Sequence, residues 1–431
     1  MKKINVGLIG FGNVGSGVVK ILRDKKAYLR DKIGIEINLS KICDKDITAK
    51  RNVKVDRALL TRNAEEIIND PKIDIIAELI GGIHPAKEYI TAALKKGKSV
   101  VTANKALLAQ EGRELFALAG DRNKNIYFEA SVGAGIPIIK SLREGLVANK
   151  FYSIFGIVNG TSNFILSEMS DNNRTFKDAL GQAKLRGFAE RDASLDIEGI
   201  DSAHKLALLT YLCFGRLVGL DEIFIEGISE ISLADVNYAK ELGFQIKLLA
   251  IAKKEGDELE VRVHPTLIPK NHLLSSVTGI FNAIYVSSDL AGNLLFYGPG
   301  AGQTCAASAV VADLVDLAKD IQSGLFRPTL NVVVDKSIRK LRKIDEIESR
   351  YYIRFMALDK PGMLAKISGV LAKFGISIAS VTQKERHKAQ VVPIVMIIHE
   401  AKEKNLRAAL AEIDRLGAIG QKSIAIRMEE V

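Results

Sequence analysis

No tryptophan occurs in this chain, and only three cysteines do, Cys43, Cys213 and Cys305, all far apart. They form no CxxC, so a disulfide framework and a cysteine-ligated metal are both excluded, and a reducing cytoplasmic setting is expected. Six histidines show no HxxxH and no Cys/His cluster, which excludes a zinc site of the alcohol-dehydrogenase type. No apolar run reaches membrane-spanning length. The basic, apolar start MKKINVGLIGFG is interrupted by glycines and lacks a small-residue cleavage site, unlike a signal peptide. Lys and Arg exceed Asp and Glu by ten, yet the two signs interleave, as in KKAYLRDKIGIE and EAKEKNLRAALAEIDR. This pattern implies solvated faces rather than a nucleic-acid stripe, with some surplus left for anionic phosphates. Neither a nucleic acid nor a membrane is expected as partner. No internal repeat or low-complexity tract is visible.

What is present is an alternation of strands and helices. Ile4 to Ile9 predicts a buried strand, GFGNVG a turn, and Val14 to Leu22 a helix. Strands at 35–43, 74–79 and 98–102 alternate with helices at 84–96 and 105–119. That order predicts a parallel, doubly wound sheet. An α+β texture follows, with glycine-rich turns, a long helix over 200–214 and strands at 259–264 and 282–287. Residues 351–431 read as strand, helix, strand, strand, helix, strand, a ferredoxin-like βαββαβ unit. The expected division is a Rossmann-type dinucleotide domain over 1–130 with a return helix at about 306–325, an α+β substrate and dimerisation domain over 131–305, a linker over 326–350, and the βαββαβ unit.

The chemistry begins at Gly10-Phe11-Gly12-Asn13-Val14-Gly15. A pyrophosphate needs close backbone approach and free N–H groups at a helix N-terminus. Gly10 permits the turn, Gly12 removes an obstructing side chain, and Gly15 lets the helix meet the strand. The second strand ends in KICDKDITAKR. An acid there suits the ribose of NAD, and a base suits the 2′-phosphate of NADP. Asp44 and Asp46 offer the first; Lys45, Lys50 and Arg51 offer the second. The choice between NAD and NADP stays open.

Other segments place polar residues in apolar or glycine-rich surroundings. Thr102, Asn104 and Lys105 lie at the C-terminal end of a predicted parallel strand, where open sheets bind ligands. Asn104 also reads simply as a helix cap. Asp201 and Lys205 lie four apart on one helix face, an arrangement that an ordinary surface pair also satisfies. The turns EASVGAGIP and VNGTSN are tight and expose backbone carbonyls.

GLIGFGNVGSGV, VVTANKALLA, YFEASVGAGIPII, VNGTSNFIL, GFAERDASLDIEGIDSAHKL and YGPGAGQTCAASAVVADL occur in this order. Residues 1 to about 325 thereby closely resemble homoserine dehydrogenase, and the terminal unit resembles an ACT domain. The resemblance implies reversible NAD(P)-dependent interconversion of L-homoserine and L-aspartate 4-semialdehyde, toward threonine, methionine and isoleucine. It also implies catalytic roles for Lys105 and Lys205, and substrate contacts from Glu190, Asp201 and Gly187. Phe11, Asn13, Val14, Thr102 and Gly302 would line the cofactor. Glu129, Val132, Ala134 and Ile136 would supply oxygen to a sodium ion, with Ala134 standing where that motif often has glycine.

Reduction of an aldehyde requires a hydride on carbon and a proton on oxygen, and a lysine ammonium can donate the proton. Lys205 is the expected proton donor and acceptor, with Lys105 polarising the oxygen. Glu190 suits the substrate's α-ammonium, and Asp201 orients Lys205 or the substrate. Two rival readings remain. One is a cysteine-dependent semialdehyde dehydrogenase using Cys305, although TCAASAVVADL reads as a buried helix. The other is a non-enzymatic sensor of NAD(H) and an amino acid. The ACT-like unit would sense an effector, threonine being the natural end product, or would serve only to dimerise. A homodimer or homotetramer is expected.

Overall fold

The strand β1 (Lys3–Ile9) and the helix α1 (Asn13–Asp24) open the computed structural model, which describes residues 3–324, 335–384, 390–417 and 419–430. After α1 come α2 (Lys26–Ile33), β2 (Glu36–Cys43), β3 (Leu60–Thr61), α3 (Glu65–Ile68), β4 (Ile75–Glu78), α4 (Ala86–Lys95), β5 (Ser99–Thr102), α5 (Lys105–Asp121) and β6 (Ile126–Tyr127). The six strands form one sheet in the order β3-β2-β1-β4-β5-β6, and every pair is parallel. Strands buried on both faces explain the short apolar runs VGLI in β1 and IIA in β4. The order reverses between β1 and β4, so a crevice opens at the carboxyl edge of that pair, where dinucleotides bind in this architecture.

The chain divides into two compact units. The first holds this sheet together with residues 203–222 and 282–336. Its core joins Val18, Val19 and Leu22 of α1 to Ala307, Val310, Leu314 and Leu317 of the helix Gln303–Ser323. The expected return helix thus begins at residue 303, and residue 325 lies outside the described residues. The strands Phe281–Ser288 and Gly292–Pro299 pair as neighbours.

The second unit carries the helices Gly160–Asn172, Phe176–Leu185 and Leu233–Glu241 and a mixed sheet. Its strands run in the order Phe151–Ile157, Phe244–Glu255, Glu258–Pro269, Ile419–Met428, Glu348–Leu358, Val391–Lys402 and Ile378–Thr382. The last four, with the helices Met363–Lys373 and Glu403–Ile413, make the expected βαββαβ unit around its own apolar core. Its sheet does not stand apart. Ile419–Met428 pairs in parallel with Glu258–Pro269, Thr266 against Arg427 and Leu267 against Met428.

The stretch expected to be a linker, 326–350, is docked over its described part. Lys340–Leu341 pairs beside Glu258 and Leu259. Arg342 donates to Glu255 at 2.7 Å, to Glu258 at 2.6 Å and to Glu260 at 2.6 Å. Residues 326–334 lie outside the described residues. The mixed charge of this stretch forms, at Arg342, a three-way ion pair.

Candidate active site

The glycine turn follows β1 directly. Gly10 has φ +105°, a conformation that favours glycine, and a Cβ there would sit 2.6 Å from the Leu79 backbone. A Cβ on Gly15 would meet the Gly10 carbonyl at 2.0 Å, so α1 can approach β1 only without it. At Gly12 a Cβ would meet nothing within 4 Å. The open space therefore lies where a pyrophosphate must approach the N-terminus of α1. Gly302, with φ +116°, caps the helix Gln303–Ser323, and Gln303 donates to the Asn13 carbonyl at 2.9 Å and to Ser16 Oγ at 3.0 Å. Two helix N-termini thus meet beside the turn. The residues present fit a dinucleotide.

Asp44 stands one residue beyond β2. Its Oδ2 accepts the Phe11 N–H at 2.7 Å, and its Oδ1 lies 3.2 Å from Arg51 Nη2. Arg51 also donates to the Phe11 carbonyl at 2.5 Å and lies over the Phe11 ring, 4.5 Å from its centroid. Acid and base are joined into one clamp around residue 11. That is why neither reads alone as a cofactor signature. Lys45 is exposed. The Phe11 side chain is buried in the core, so only its backbone is left to meet a cofactor.

Thr102 ends β5 opposite Glu78, the last residue of β4. Its hydroxyl donates to Glu78 Oε2 at 2.7 Å and accepts the Asn104 N–H at 3.0 Å, so the Thr102 side chain is used within the fold. Asn104 caps α5 through the Leu107 N–H at 3.1 Å and donates to the Gly82 carbonyl at 2.6 Å. Lys105 follows as the first residue of α5, half-buried. Glu78, not singled out from sequence, is the hub of this edge. It is fully buried, and its other oxygen accepts the Ile80 N–H at 2.8 Å. Burial pushes its carboxyl upward, while hydrogen bonds from Thr102, Ile80, Gly81 and Asn104 oppose the shift.

Lys205 is 7% exposed on the helix Ile200–Phe214. Tyr211 of this helix stacks on Phe116 of α5 at 5.6 Å between ring centroids. The helices that carry the two lysines are therefore packed together within the first unit. Asp201, Glu190 and Gly187 belong to the second unit. There Asp201 accepts from Asn159 at 2.8 Å, Gly187 takes φ +73° to end a helix, and Glu190 is exposed. Asn159 is a second residue without a role in the sequence, where VNGTSN reads only as a tight turn with exposed backbone carbonyls.

Residues 10–129 match the family model of the homoserine dehydrogenase NAD-binding domain, 137–315 match that of homoserine dehydrogenase, and 351–418 match that of the ACT domain. A homoserine dehydrogenase of Neisseria gonorrhoeae is 41% identical over 100% of both chains. The chain belongs to the homoserine dehydrogenase family. The solved homoserine dehydrogenase of Thiobacillus denitrificans superposes with a TM-score of 0.90 at 42% identity, covering 100% of this chain and 99% of that one. A hyperthermophilic archaeal homoserine dehydrogenase, solved in complex with NADPH, gives a TM-score of 0.64 at 30% identity and covers 75% of this chain and 100% of that one. Homoserine dehydrogenase chemistry, the NAD(P)-dependent oxidation of a CH–OH group, follows for the chain, with a C-terminal ACT domain. This places it with enzymes rather than sensors, and Cys305 needs no nucleophilic role. No helix of the described residues is long and apolar enough to cross a membrane.

Proposed function

We propose that Lys205 and Lys105 carry the proton chemistry of the homoserine dehydrogenase reaction, interconverting L-homoserine and L-aspartate 4-semialdehyde with NADP or NAD. The packing of Lys205's helix on α5, through Tyr211 and Phe116, carries this reading. The nicotinamide, when bound, gives or takes the hydride. Lys205 takes the proton from the substrate hydroxyl in oxidation and returns it to the aldehyde oxygen in reduction. Lys105 polarises that oxygen from the edge of β5. Glu190 holds the α-ammonium, and Asp201 and Gly187 complete the amino-acid site. Gly10, Gly12, Asn13, Val14, Gly15 and Gly302 hold the dinucleotide with the backbone of Phe11 and Thr102, and Lys45 and Arg51 serve a 2′-phosphate. Lys205→Met lowers kcat by roughly 10²–10⁴-fold, the usual worth of a positioned acid–base group, and leaves dinucleotide Kd within about threefold in a fluorescence titration. A near-normal kcat ends the assignment.

A sodium ion at 129–136 fits the residues present. Val132 and Ala134 are buried, and their carbonyls accept no backbone N–H among the described residues. Ala134 has φ +31°, held there while Ile136 donates to the Gly133 carbonyl at 2.8 Å and Gly135 to the Pro299 carbonyl at 3.0 Å. The Ile136 carbonyl accepts from Ile138 at 2.7 Å and retains a second lone pair. Glu129 would join through its backbone oxygen, because its carboxylate already accepts the N–H groups of Ile139 and Lys140. The remaining parts of the proposal are a threonine effector at the ACT domain, a homodimer or homotetramer, a cytoplasmic location and the domain limits given above. Calorimetry with threonine tests the effector, and an absence of binding heat removes it.

A further inference from the structure

The segment 187–201 carries Gly187, Glu190 and Asp201, yet Glu190, Arg191, Asp192 and Ser194 along it are exposed. What holds it comes from the VNGTSN turn. The Thr161 hydroxyl donates to the Phe188 carbonyl at 2.7 Å, two residues before Glu190. The Ser162 hydroxyl donates to the Asp196 carbonyl at 2.7 Å. Between them stands Asn159, 5% exposed at the N-cap of Gly160–Asn172. Its Oδ1 accepts the Ser162 N–H at 2.8 Å, and its Nδ2 donates to Asp196 Oδ1 at 2.7 Å and to Asp201 Oδ2 at 2.8 Å. An amide nitrogen has two N–H groups, and here each serves one carboxylate.

We infer that Asn159 is a positioning residue for the amino-acid substrate, acting by holding the Asp201 and Asp196 carboxylates to one amide nitrogen so that Asp201 keeps one geometry in the amino-acid site. The inference rests on the reading that Asp201 holds the substrate. Two carboxylates at hydrogen-bond reach of one atom repel each other, and left alone they would turn apart. An amide keeps them together without cancelling their charge. A lysine at position 159 would hold them as firmly and neutralise one. The helix cap alone does not demand asparagine, since aspartate caps as well.

That equivalence provides the test. Asn159→Asp keeps the capping oxygen and replaces the bridging N–H groups by a third acceptor. Asn159→Ser keeps a capping hydroxyl and removes the bridge without adding charge. Each is expected to raise the homoserine KM at least tenfold, with kcat changed less than KM and dinucleotide Kd within about twofold. A purely structural role would lower kcat and cofactor affinity together, and that result overturns the proposal. Asp201→Asn is measured beside them. If it raises KM while both Asn159 variants leave KM unchanged, the substrate site stands and Asn159 has no part in it. If Asp201→Asn leaves KM unchanged, the substrate-site reading fails and the proposal falls with it.

Discussion

Of the buried glutamates among the described residues, Glu78 at the end of β4 and Glu403 in the ACT domain are kept in opposite ways. Glu78 is held by a hydroxyl, an amide and backbone N–H groups, and burial pushes its carboxyl up. Burial would raise Glu403 as well, but Arg427, Tyr351 and Arg407 outweigh it and hold the carboxyl below its usual range. Arg427 reaches both oxygens, at 2.9 and 2.5 Å. A neutral partner fixes a charge in place and leaves its field intact. A cation fixes it and removes the field. The first arrangement occurs at the edge that carries Lys105. The second occurs where the ACT strands join Glu258–Pro269, together with Arg354 on Asp235 and Arg262 on Glu260 and Glu429. Buried charge is thus held by neutral groups in one place and matched by cations in the other.

The contrast can be broken most sharply at Glu403. Glu403→Ala leaves the buried Arg427 without its bidentate partner, and stability is expected to fall by about 3–5 kcal/mol, read as an earlier denaturant midpoint. Activity of the folded fraction at low denaturant should be unchanged. Lys247 supplies the pH test, because it is a cation kept by neutral groups, the Val277 carbonyl at 2.6 Å and Asn163 Oδ1 at 3.4 Å. Burial pushes its ammonium down to about 8 from 10.5. Between those values the unfolded chain binds more protons than the folded one, so stability rises with pH through that window and is lowest below it. Lys247→Met should abolish the rise, which is on the order of 3 kcal/mol at most. A flat wild-type profile from pH 8 to 10.5 counts against a buried charge there.

Glu78→Gln should act on catalysis more than on folding. A tenfold loss of kcat is expected, equal to about 1.4 kcal/mol, with dinucleotide Kd nearly unchanged. If kcat holds and only the melting temperature drops, Glu78 resembles Glu403 after all and the contrast dissolves. The smallest effect is expected at Ala134, whose φ of +31° glycine adopts freely. Ala134→Gly should stabilise by about 1 kcal/mol or less, the relieved strain being partly offset by the freer unfolded chain.

The parallel sheet was legible because β1, β4 and β5 each carry a short apolar run and the glycine turn follows the first of them. The helix over 200–214 was read to its ends because its last nine residues, LALLTYLCF, are almost all apolar. Gly160–Asn172 was not, because Thr161, Ser162, Asn163, Ser167, Glu168 and Ser170 are all buried on it and no polar face remains to set a period. The strand Glu258–Pro269 was read only from 259 to 264. Its Glu260 and Arg262 look like solvent-facing residues and are instead buried, Arg262 against Glu429 at 2.8 Å. The same blindness hid Glu78 and Asn159. A partner distant in sequence gives a polar residue its meaning, and periodicity carries no record of that partner.

The strand Ile419–Met428 lies between Glu258–Pro269 and Glu348–Leu358, inside the sheet rather than at its rim. A shortened protein that ends before residue 348 would therefore not be an unregulated enzyme. It would bare one side of Glu258–Pro269 near Thr266 and Leu267, together with Asp235 stripped of Arg354 and Arg262 left with Glu260 alone of its two carboxylates. An uncovered strand of that kind recruits other chains. A change in regulation on deleting the C-terminal region would then be hard to tell from clumping. Point substitutions on the ACT surface are the cleaner way to separate control from catalysis.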